Sequence, residues 1–156
     1  MTAAFRIRRA TPEDLPALLA LESSAFTTDH LSARQYRQHL VSPTGLVLVA
    51  TDASGLLGSA LVFFRHQSDL ARLYSIAVAH GARGRGVGEA LLAAVENAAR
   101  RRGARRMRLE VRHDNAAAMR LYERRGYARF AERPGYYEDG GHAWRYEKKL
   151  GLRAEA

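Results

Sequence analysis

The spacing of apolar and polar residues predicts a regular series of strands and helices in the first half of the chain. Thr11 precedes Pro12 and two acidic residues, which is typical of a helix start, and leucines at helical spacing follow. The triplet "ASG" (53–55) separates two apolar runs and predicts a hairpin. The predicted elements are a strand at Phe5–Ala10, helices at Thr11–Phe26 and Ala33–Leu40, and strands at Leu46–Asp52 and Leu56–Arg65.

The second half continues the series. The helix predicted at Gly86–Arg102 carries an apolar face, and Gly103 follows it as a C-terminal cap. The other predicted elements are strands at Ala71–Val78, Arg106–Val111, Tyr127–Phe130 and His142–Leu150, and a helix at Asn115–Gly126. Because there is no repeat, linker or low-complexity segment, we expect residues 1–156 to form a single α/β domain, with helices around a mixed sheet.

Composition narrows the chemistry. The 156 residues include no cysteine, which excludes a disulfide scaffold, a thiolate metal site and a cysteinyl intermediate. The histidines show no metal-ligand spacing, so no metal is expected. The formal net charge of +9 favours an anionic partner, such as a phosphorylated cofactor, a nucleic acid or an acidic protein. A compositional bias towards arginine on a solvated surface explains the charge equally well, since Lys148 and Lys149 are the only lysines.

The hydropathy pattern does not indicate a membrane protein. The most apolar window, Leu46–Phe64, is interrupted by polar residues and glycine where the hairpin turn is predicted. The opening "MTAAFRIRRA" lacks the apolar core of a signal peptide. We therefore expect a cytoplasmic protein with no membrane partner, present as a monomer or a homodimer.

The segment "RGRGVG" (Arg83–Gly88) lies between a predicted strand and a predicted helix. Unpaired N–H groups at a helix N-terminus attract anions, glycines allow a close approach of the backbone, and arginines add charged donors. The segment has neither the Gly-Lys-Ser/Thr end of a Walker loop nor the glycine spacing of a dinucleotide fingerprint. On its own it indicates a phosphate site or a simple arginine-glycine turn.

The pattern Arg83-x-x-Gly86-x-Gly88, after "LYSIAV" and before "EALL", resembles the acetyl-CoA signature of the GCN5-related N-acetyltransferases (GNAT). The order of elements is also similar, so the resemblance covers almost the whole chain. The segments "LEVRHDNAAAMRLYERRGY" and "GYYEDG" are similar to the branch that acetylates ribosomal-protein alanine termini. The resemblance implies a GNAT fold, β-α-α-β-β-β-α-β-α-β-β, with a mostly antiparallel sheet splayed between strands 4 and 5.

The resemblance also implies acetyl-CoA as co-substrate and assigns residues to it. Backbone groups at the end of the fourth strand would pair with the pantetheine arm and the thioester oxygen, and the glycine loop would hold the diphosphate. Asn115, a natural helix N-cap, would also contact the arm. The cofactor residues expected on this basis are Ile76, Ala77, Val78, Arg83, Gly84, Arg85, Gly86, Val87, Gly88 and Asn115.

Two residues are candidates for proton transfer. Glu110 is a lone carboxylate in the apolar strand "RMRLEV", where it is either a base or a surface residue paired with an arginine such as Arg108 or Arg112. Tyr122 is either a core aromatic or the acid that protonates the leaving thiolate. The resemblance matches Glu110 to the base, acting directly or through water, and Tyr122 to the acid. It implies direct attack of the amine in a ternary complex.

The acceptor is expected at two loops. Tyr136 and Tyr137 would clamp a peptide N-terminus or a small amine, with Glu138 or Asp139 attracting its positive charge; alternatively these residues form an exposed turn. The loop "ESSAFTTDHLS" departs from the Phe-Pro-Trp-like segment of the ribosomal-protein branch. The favoured acceptor is therefore a protein or peptide N-terminal amine, and the alternative is a small amine such as a metabolite or antibiotic.

A nucleic-acid-binding protein is the remaining alternative. The run "RRRGARRMR" (Arg100–Arg108) would carry that function, but it spans a helix end, a turn and a strand start. We expect it to be a solvated basic edge, placed near the 3′-phosphate of the cofactor or facing an acidic partner. Nucleic acid is therefore not expected as a direct partner.

Overall fold

A computed structural model describes residues 4–26 and 31–151. The order of elements is the predicted one, and two short 3-10 turns at Pro12–Asp14 and His80–Ala82 precede α1 and α3. The elements are β1 (Arg6–Arg9), α1 (Leu15–Ala25), α2 (Ala33–Val41), β2 (Gly45–Asp52), β3 (Gly55–Phe64), β4 (Leu70–Val78), α3 (Val87–Arg101), β5 (Arg106–Arg112), α4 (Ala116–Arg124), β6 (Ala128–Arg133) and β7 (Ala143–Lys149).

The strands form one mixed sheet in the order β1-β2-β3-β4-β5-β7-β6. Neighbouring strands are antiparallel except β4 and β5, which are parallel and pair only from Leu70↔Arg106 to Leu73↔Leu109. Beyond Leu73, β4 stays paired with β3 as far as Val78. The predicted splay between the fourth and fifth strands is thereby confirmed.

A β-bulge accompanies the splay. The β3–β4 register shifts where Leu61 pairs with Ser75 and Val62 pairs with Leu73, so Tyr74 is the additional residue on β4. A bulge bends its strand and increases the local twist. We attribute the divergence of β4 from β5 to this bend, because their pairing ends at the residue before Tyr74.

Both faces of the sheet are covered. On one face α3 and α4 pack against alternate strand residues, and on the other α1 and α2 do the same. In β2, Leu48 faces the first core and Val49 the second. This burial on both sides explains why the β2 sequence is continuously apolar rather than alternating.

The structure differs from the predicted elements in two places. The first helix begins with a 3-10 turn, and Pro16 occupies the second position of α1, where its missing N–H removes no helical hydrogen bond. The strand predicted to end at Phe130 continues as β6 to Arg133, because it pairs with β7 along Ala128–Arg133. Among the residues described, no helix is long and apolar enough to span a membrane.

Candidate active site

The divergence of β4 from β5 opens a cleft of about 770 Å³. Its walls come from the end of α1, the bulged part of β4, the end of β5, the start of α4 and the β6–β7 loop. The fold thus brings together residues that are far apart in sequence. The predicted site residues that line the cleft are Ile76, Glu110, Asn115, Tyr122, Tyr136 and Tyr137.

The end of β4 presents backbone groups to this cleft. The N–H of Ala79 donates to Leu57 O of β3 at 2.8 Å. Because backbone groups alternate in direction along a strand, those of Ala77 also face β3, whereas those of Ile76 and Val78 point away from β3 towards the opening. Of the three strand residues expected to hold the pantetheine arm, Ala77 therefore has its backbone groups on the wrong side.

The glycine loop forms a turn that closes on the N-terminus of α3. Gly84 and Gly86 have φ of +82° and +78°, values that L-residues with side chains rarely adopt, and a Cβ at either would meet nothing within 4 Å. Gly86 is the N-cap of α3, and its carbonyl accepts the first helical bond, from Ala90 N at 3.0 Å. The N–H groups of the three residues before Ala90, from Val87 to Glu89, have no intrahelical partner.

The other residues of the glycine loop differ in burial and in their partners. The side chain of Val87 is buried, and a Cβ on Gly88 would meet the neighbouring side chains at ordinary contact distance. Arg83 is exposed, whereas Arg85 donates to Asp52 Oδ2 at 3.2 Å. Arg83 is thus the arginine of this loop that lies open to solvent.

Glu110 is buried, with its side chain 5% exposed, and it is held by cations from both neighbouring strands. Arg72 of β4 donates to Oε1 from Nε at 3.0 Å and from Nη2 at 2.7 Å. Arg145 of β7 donates to Oε2 at 3.2 Å. The ion pair anticipated as the alternative to catalysis therefore exists, but with Arg72 and Arg145 rather than with Arg108 or Arg112.

Tyr136 completes this cluster from the β6–β7 loop. Its hydroxyl lies 3.4 Å from Glu110 Oε1 and accepts a short hydrogen bond from Arg72 Nη2. Burial raises the pKa of Tyr136. The positive charge of Arg72 lowers that pKa, but by less, so the net shift is upward. Burial on its own lowers the pKa of Arg72, but the charge of Glu110 and the contact with Tyr136 outweigh it and raise that pKa.

Tyr122 lies on α4, with 7% of its surface exposed. Burial raises the pKa of its hydroxyl, so the phenol is a protonated donor throughout the physiological range. Tyr127 packs edge-on against it, with 5.7 Å between ring centroids. Asn115 caps the same helix, as predicted: its side chain accepts from Ala118 N at 3.1 Å.

The β6–β7 loop brings two of its three predicted acceptor residues to the cleft. The rings of Tyr136 and Tyr137 pack edge-on with centroids 4.9 Å apart. Glu138 is exposed and lies outside the cleft lining, while Asp139 is ion-paired with Arg112. The second acceptor loop was predicted within "ESSAFTTDHLS", and its residues 27–30 lie outside the described part of the chain.

Glu22 is a cleft residue that the sequence analysis missed. It is 4% exposed, and its carboxylate accepts from Leu31 N at 3.1 Å and from Tyr36 Oη at 2.8 Å. It thereby ties the end of α1 to α2 across the acceptor loop. A signal was present: Glu22 follows Leu15 and Leu18 at helical spacing, so an acid interrupts the apolar face.

The basic run Arg100–Arg108 does not lie near the glycine loop. The loop precedes the N-terminus of α3 and the run begins at the C-terminus of that helix. At 1.5 Å per residue the helix separates the two by roughly 22 Å. The run is therefore well separated from the loop at which the cofactor diphosphate is expected.

Residues 14–127 match the acetyltransferase (GNAT) family. The chain is 30% identical to a Bacillus subtilis protein provisionally named a ribosomal protein bS18-alanine N-acetyltransferase, over 86% of this chain and 88% of that protein.

Two further similarities bear on the acceptor. The ribosomal-protein-S18-alanine N-acetyltransferase of Escherichia coli superposes with a TM-score of 0.84 at 28% identity, covering 97% of both chains. The mycothiol acetyltransferase of Beutenbergia cavernae is 32% identical over 74% of this chain, which spans 38% of that longer protein.

Proposed function

Because the chain belongs to the acetyltransferase (GNAT) family, we propose that it transfers an acetyl group from acetyl-CoA to a primary amine, with a protein or peptide N-terminal amine as the favoured acceptor. The observation that carries this proposal is the opening between β4 and β5. There, the backbone groups of Ile76 and Val78 point away from β3, and Ile76 lines a cleft that also contains Glu110 and Tyr122.

The residues present suit a coenzyme A nucleotide and its arm. Gly84 and Gly86 leave open space where side chains would stand, directly before the free N–H groups of α3, and Arg83 is exposed beside them. An extended, amide-bearing arm fits the strand groups of Ile76 and Val78. We propose Arg83, Gly84, Gly86, Val87 and Gly88 as the diphosphate site, with a lesser part for Arg85 because it is paired with Asp52.

Bound acetyl-CoA supplies an acetyl thioester. In the proposed reaction the amine nitrogen forms a bond to the acetyl carbon as the carbon–sulfur bond breaks. Glu110 takes the proton of the acceptor ammonium, directly or through water, and Tyr122 Oη gives a proton to the sulfur. Because the chain contains no cysteine, it has no acetyl-cysteine relay, and the amine attacks directly while both substrates are bound.

The favoured acceptor follows from the relatives that cover the whole domain. The Bacillus and Escherichia proteins are named as N-acetyltransferases of an alanine of ribosomal protein S18. Tyr136 and Tyr137 would flank such an N-terminus beside Glu110. The similarity to a mycothiol acetyltransferase favours a small amine as the second candidate.

A cytoplasmic location and a monomeric or homodimeric state remain predictions.

Incubating the full chain with acetyl-CoA and two acceptor panels tests the proposal. One panel holds peptides that differ in their first residue, alanine included, and the other holds small primary amines. Thiol release measures turnover, and mass spectrometry of the product locates the acetyl group. We expect acetylated peptide α-amines. Transfer confined to small amines would favour the second candidate, and the absence of coenzyme A binding by calorimetry would contradict the whole proposal.

A further inference from the structure

A strongly basic surface lies at the end of the sheet opposite the cleft. The C-terminal ends of β1, β3, β7 and α3 meet there with the N-terminal end of β5. We call this surface the basic edge and define it by the following cations: Arg9, Arg65, Arg101, Arg102, Arg105, Arg106 and Lys149. Five elements of the fold contribute to it, so the fold brings Arg9, Arg65 and Lys149 to the same surface as the run Arg100–Arg108.

Among the described residues, little negative charge balances the basic edge. Asp69 and Glu147 both pair with one edge cation, Arg106, at 3.1 and 3.6 Å. In the described part of the chain, Arg101 and Arg105 are exposed and form no ion pair. Elsewhere, buried or half-buried arginines such as Arg72 and Arg145 are matched to carboxylates.

One of the edge cations, Arg102, is held in a fixed position. Arg102 packs over the Phe64 ring at 4.3 Å and donates to Pro43 O at 2.9 Å, which fixes its guanidinium. Burial and the nearby charge of Arg9 lower the pKa of Arg102. Like charges held together in this way repel each other, and a bound anion would relieve that repulsion.

The chemistry of the edge favours phosphate groups over a membrane or an apolar partner. Its cations are mainly guanidiniums, which bind phosphate oxygens in a bidentate manner. Among the described residues, the exposed large apolar side chains are Val41 and Phe130, too few to form an inserting patch. Within residues 4–26 and 31–151, no helix or hairpin projects from the edge to enter a DNA groove, so these residues offer contact to a phosphate backbone only.

We propose that the basic edge binds the phosphodiester backbone of RNA, at a site separate from the acetyltransferase cleft. With strands about 4.8 Å apart, the five strand spacings from β1 to β7 cover roughly 24 Å, enough for several consecutive phosphates. The edge and the glycine loop lie at opposite ends of α3, so both can be occupied at once. The proposal extends beyond acetyl transfer and does not depend on it.

Fluorescence anisotropy of the full chain with a labelled single-stranded RNA of about 20 nucleotides tests this. We expect binding whose affinity falls steeply with salt. The variant Arg101→Gln/Arg105→Gln should bind at least about tenfold more weakly near 100 mM salt. A plot of the logarithm of the binding constant against the logarithm of the salt concentration should also have a shallower slope for this variant. The difference in slope should be about 1.4, because each of the two lost phosphate contacts to a single strand contributes about 0.7.

The control variant Arg34→Gln/Arg37→Gln removes the same charge from exposed positions on α2. It should bind RNA like the wild type, and both variants should keep wild-type acetyltransferase activity on a peptide. Three results would overturn the proposal: equal loss in both variants, no loss in the edge variant, or stronger binding to anionic vesicles, polyglutamate or DNA of the same sequence than to RNA.

Discussion

Arg72 on β4 and Glu110 on β5 are joined across the point where the two strands diverge. Their pairing ends at Leu73↔Leu109, and Glu110 is the next residue of β5. Both bonds from Arg72, at 3.0 and 2.7 Å, reach the same carboxylate oxygen, Oε1. The ion pair therefore fixes the orientation of the Glu110 carboxylate at the point where the cleft begins.

Replacing Glu110 with Gln tests its assignment as the base. The change keeps shape but removes proton acceptance, so kcat should fall about 100-fold while coenzyme A affinity stays within twofold. The matched control is Glu147→Gln, because Glu147 is also a strand carboxylate paired with arginines, but lies outside the cleft lining. Normal turnover of the Glu110 variant across pH would remove it from the mechanism.

Tyr122→Phe tests the proposed acid. Loss of the hydroxyl should lower kcat by about 10- to 100-fold with little effect on coenzyme A affinity. Its neighbour Tyr127 donates to buried Glu96 Oε2 at 2.9 Å. Tyr127→Phe should therefore cost about 1 kcal/mol in the free energy of unfolding but leave kcat unchanged. Similar turnover losses in both variants would indicate general disturbance of the packing, not loss of an acid.

Gly86→Ala separates backbone strain from ligand binding. Gly86 and Gly103 both have positive φ, +78° and +90°, with open space at the Cβ position. Alanine at either site should cost about 1 kcal/mol in stability, measured by denaturant unfolding. Only Gly86→Ala should also weaken coenzyme A binding, measured by calorimetry, because only Gly86 belongs to the glycine loop. Equal binding by the two variants would contradict the proposed diphosphate site.

The lowered pKa of Asp14 should make part of the free energy of unfolding sensitive to acid. Hydrogen bonds from Arg8 lower the pKa of Asp14 to about 2, and the N–H of Thr11 also donates to it, at 2.7 Å. A lowered folded-state pKa stabilises the fold above the unfolded value, near 4, and this stabilisation is lost as pH falls towards 2.

The corresponding experiment compares unfolding free energies at two pH values. Asp14→Asn should cost about 1 kcal/mol at pH 7, and the difference from wild type should nearly vanish near pH 2. Asp69→Asn is the control, since its ion pair with Arg106 is about half exposed and should contribute little. A difference for Asp14→Asn that persists unchanged at low pH would show that proton binding is not involved.

The sequence was sufficient for features that depend on local backbone chemistry. The order of elements, the Gly103 cap and the Asn115 cap follow from periodicity and capping residues, and the structure contains them. The pattern of Arg83, Gly86 and Gly88 identified the loop, because left-handed backbone and a following helix leave a clear trace in sequence.

Features that depend on long-range pairing were out of reach. Nothing local indicates that Arg72 and Arg145 flank Glu110, since that requires the strand order β4-β5-β7. The direction in which the backbone groups of Ala77 point depends on the register of β4 with β3. The extension of β6 likewise depends on its partner β7. The assembly of the basic edge from five elements likewise depends on the strand order.

The divergence of β4 from β5 gives the sheet an internal edge. Most sheets expose unpaired strand groups only at their rims, where they invite pairing with other chains. Here unpaired groups lie in the interior of the sheet, in a wedge that begins beside Leu73, where β4 and β5 are still paired, and widens from there. A second protein strand enters such a wedge poorly, while a single slender chain with amide groups can lie along it. In the proposed function, the pantetheine arm of the cofactor would take the place of a missing strand.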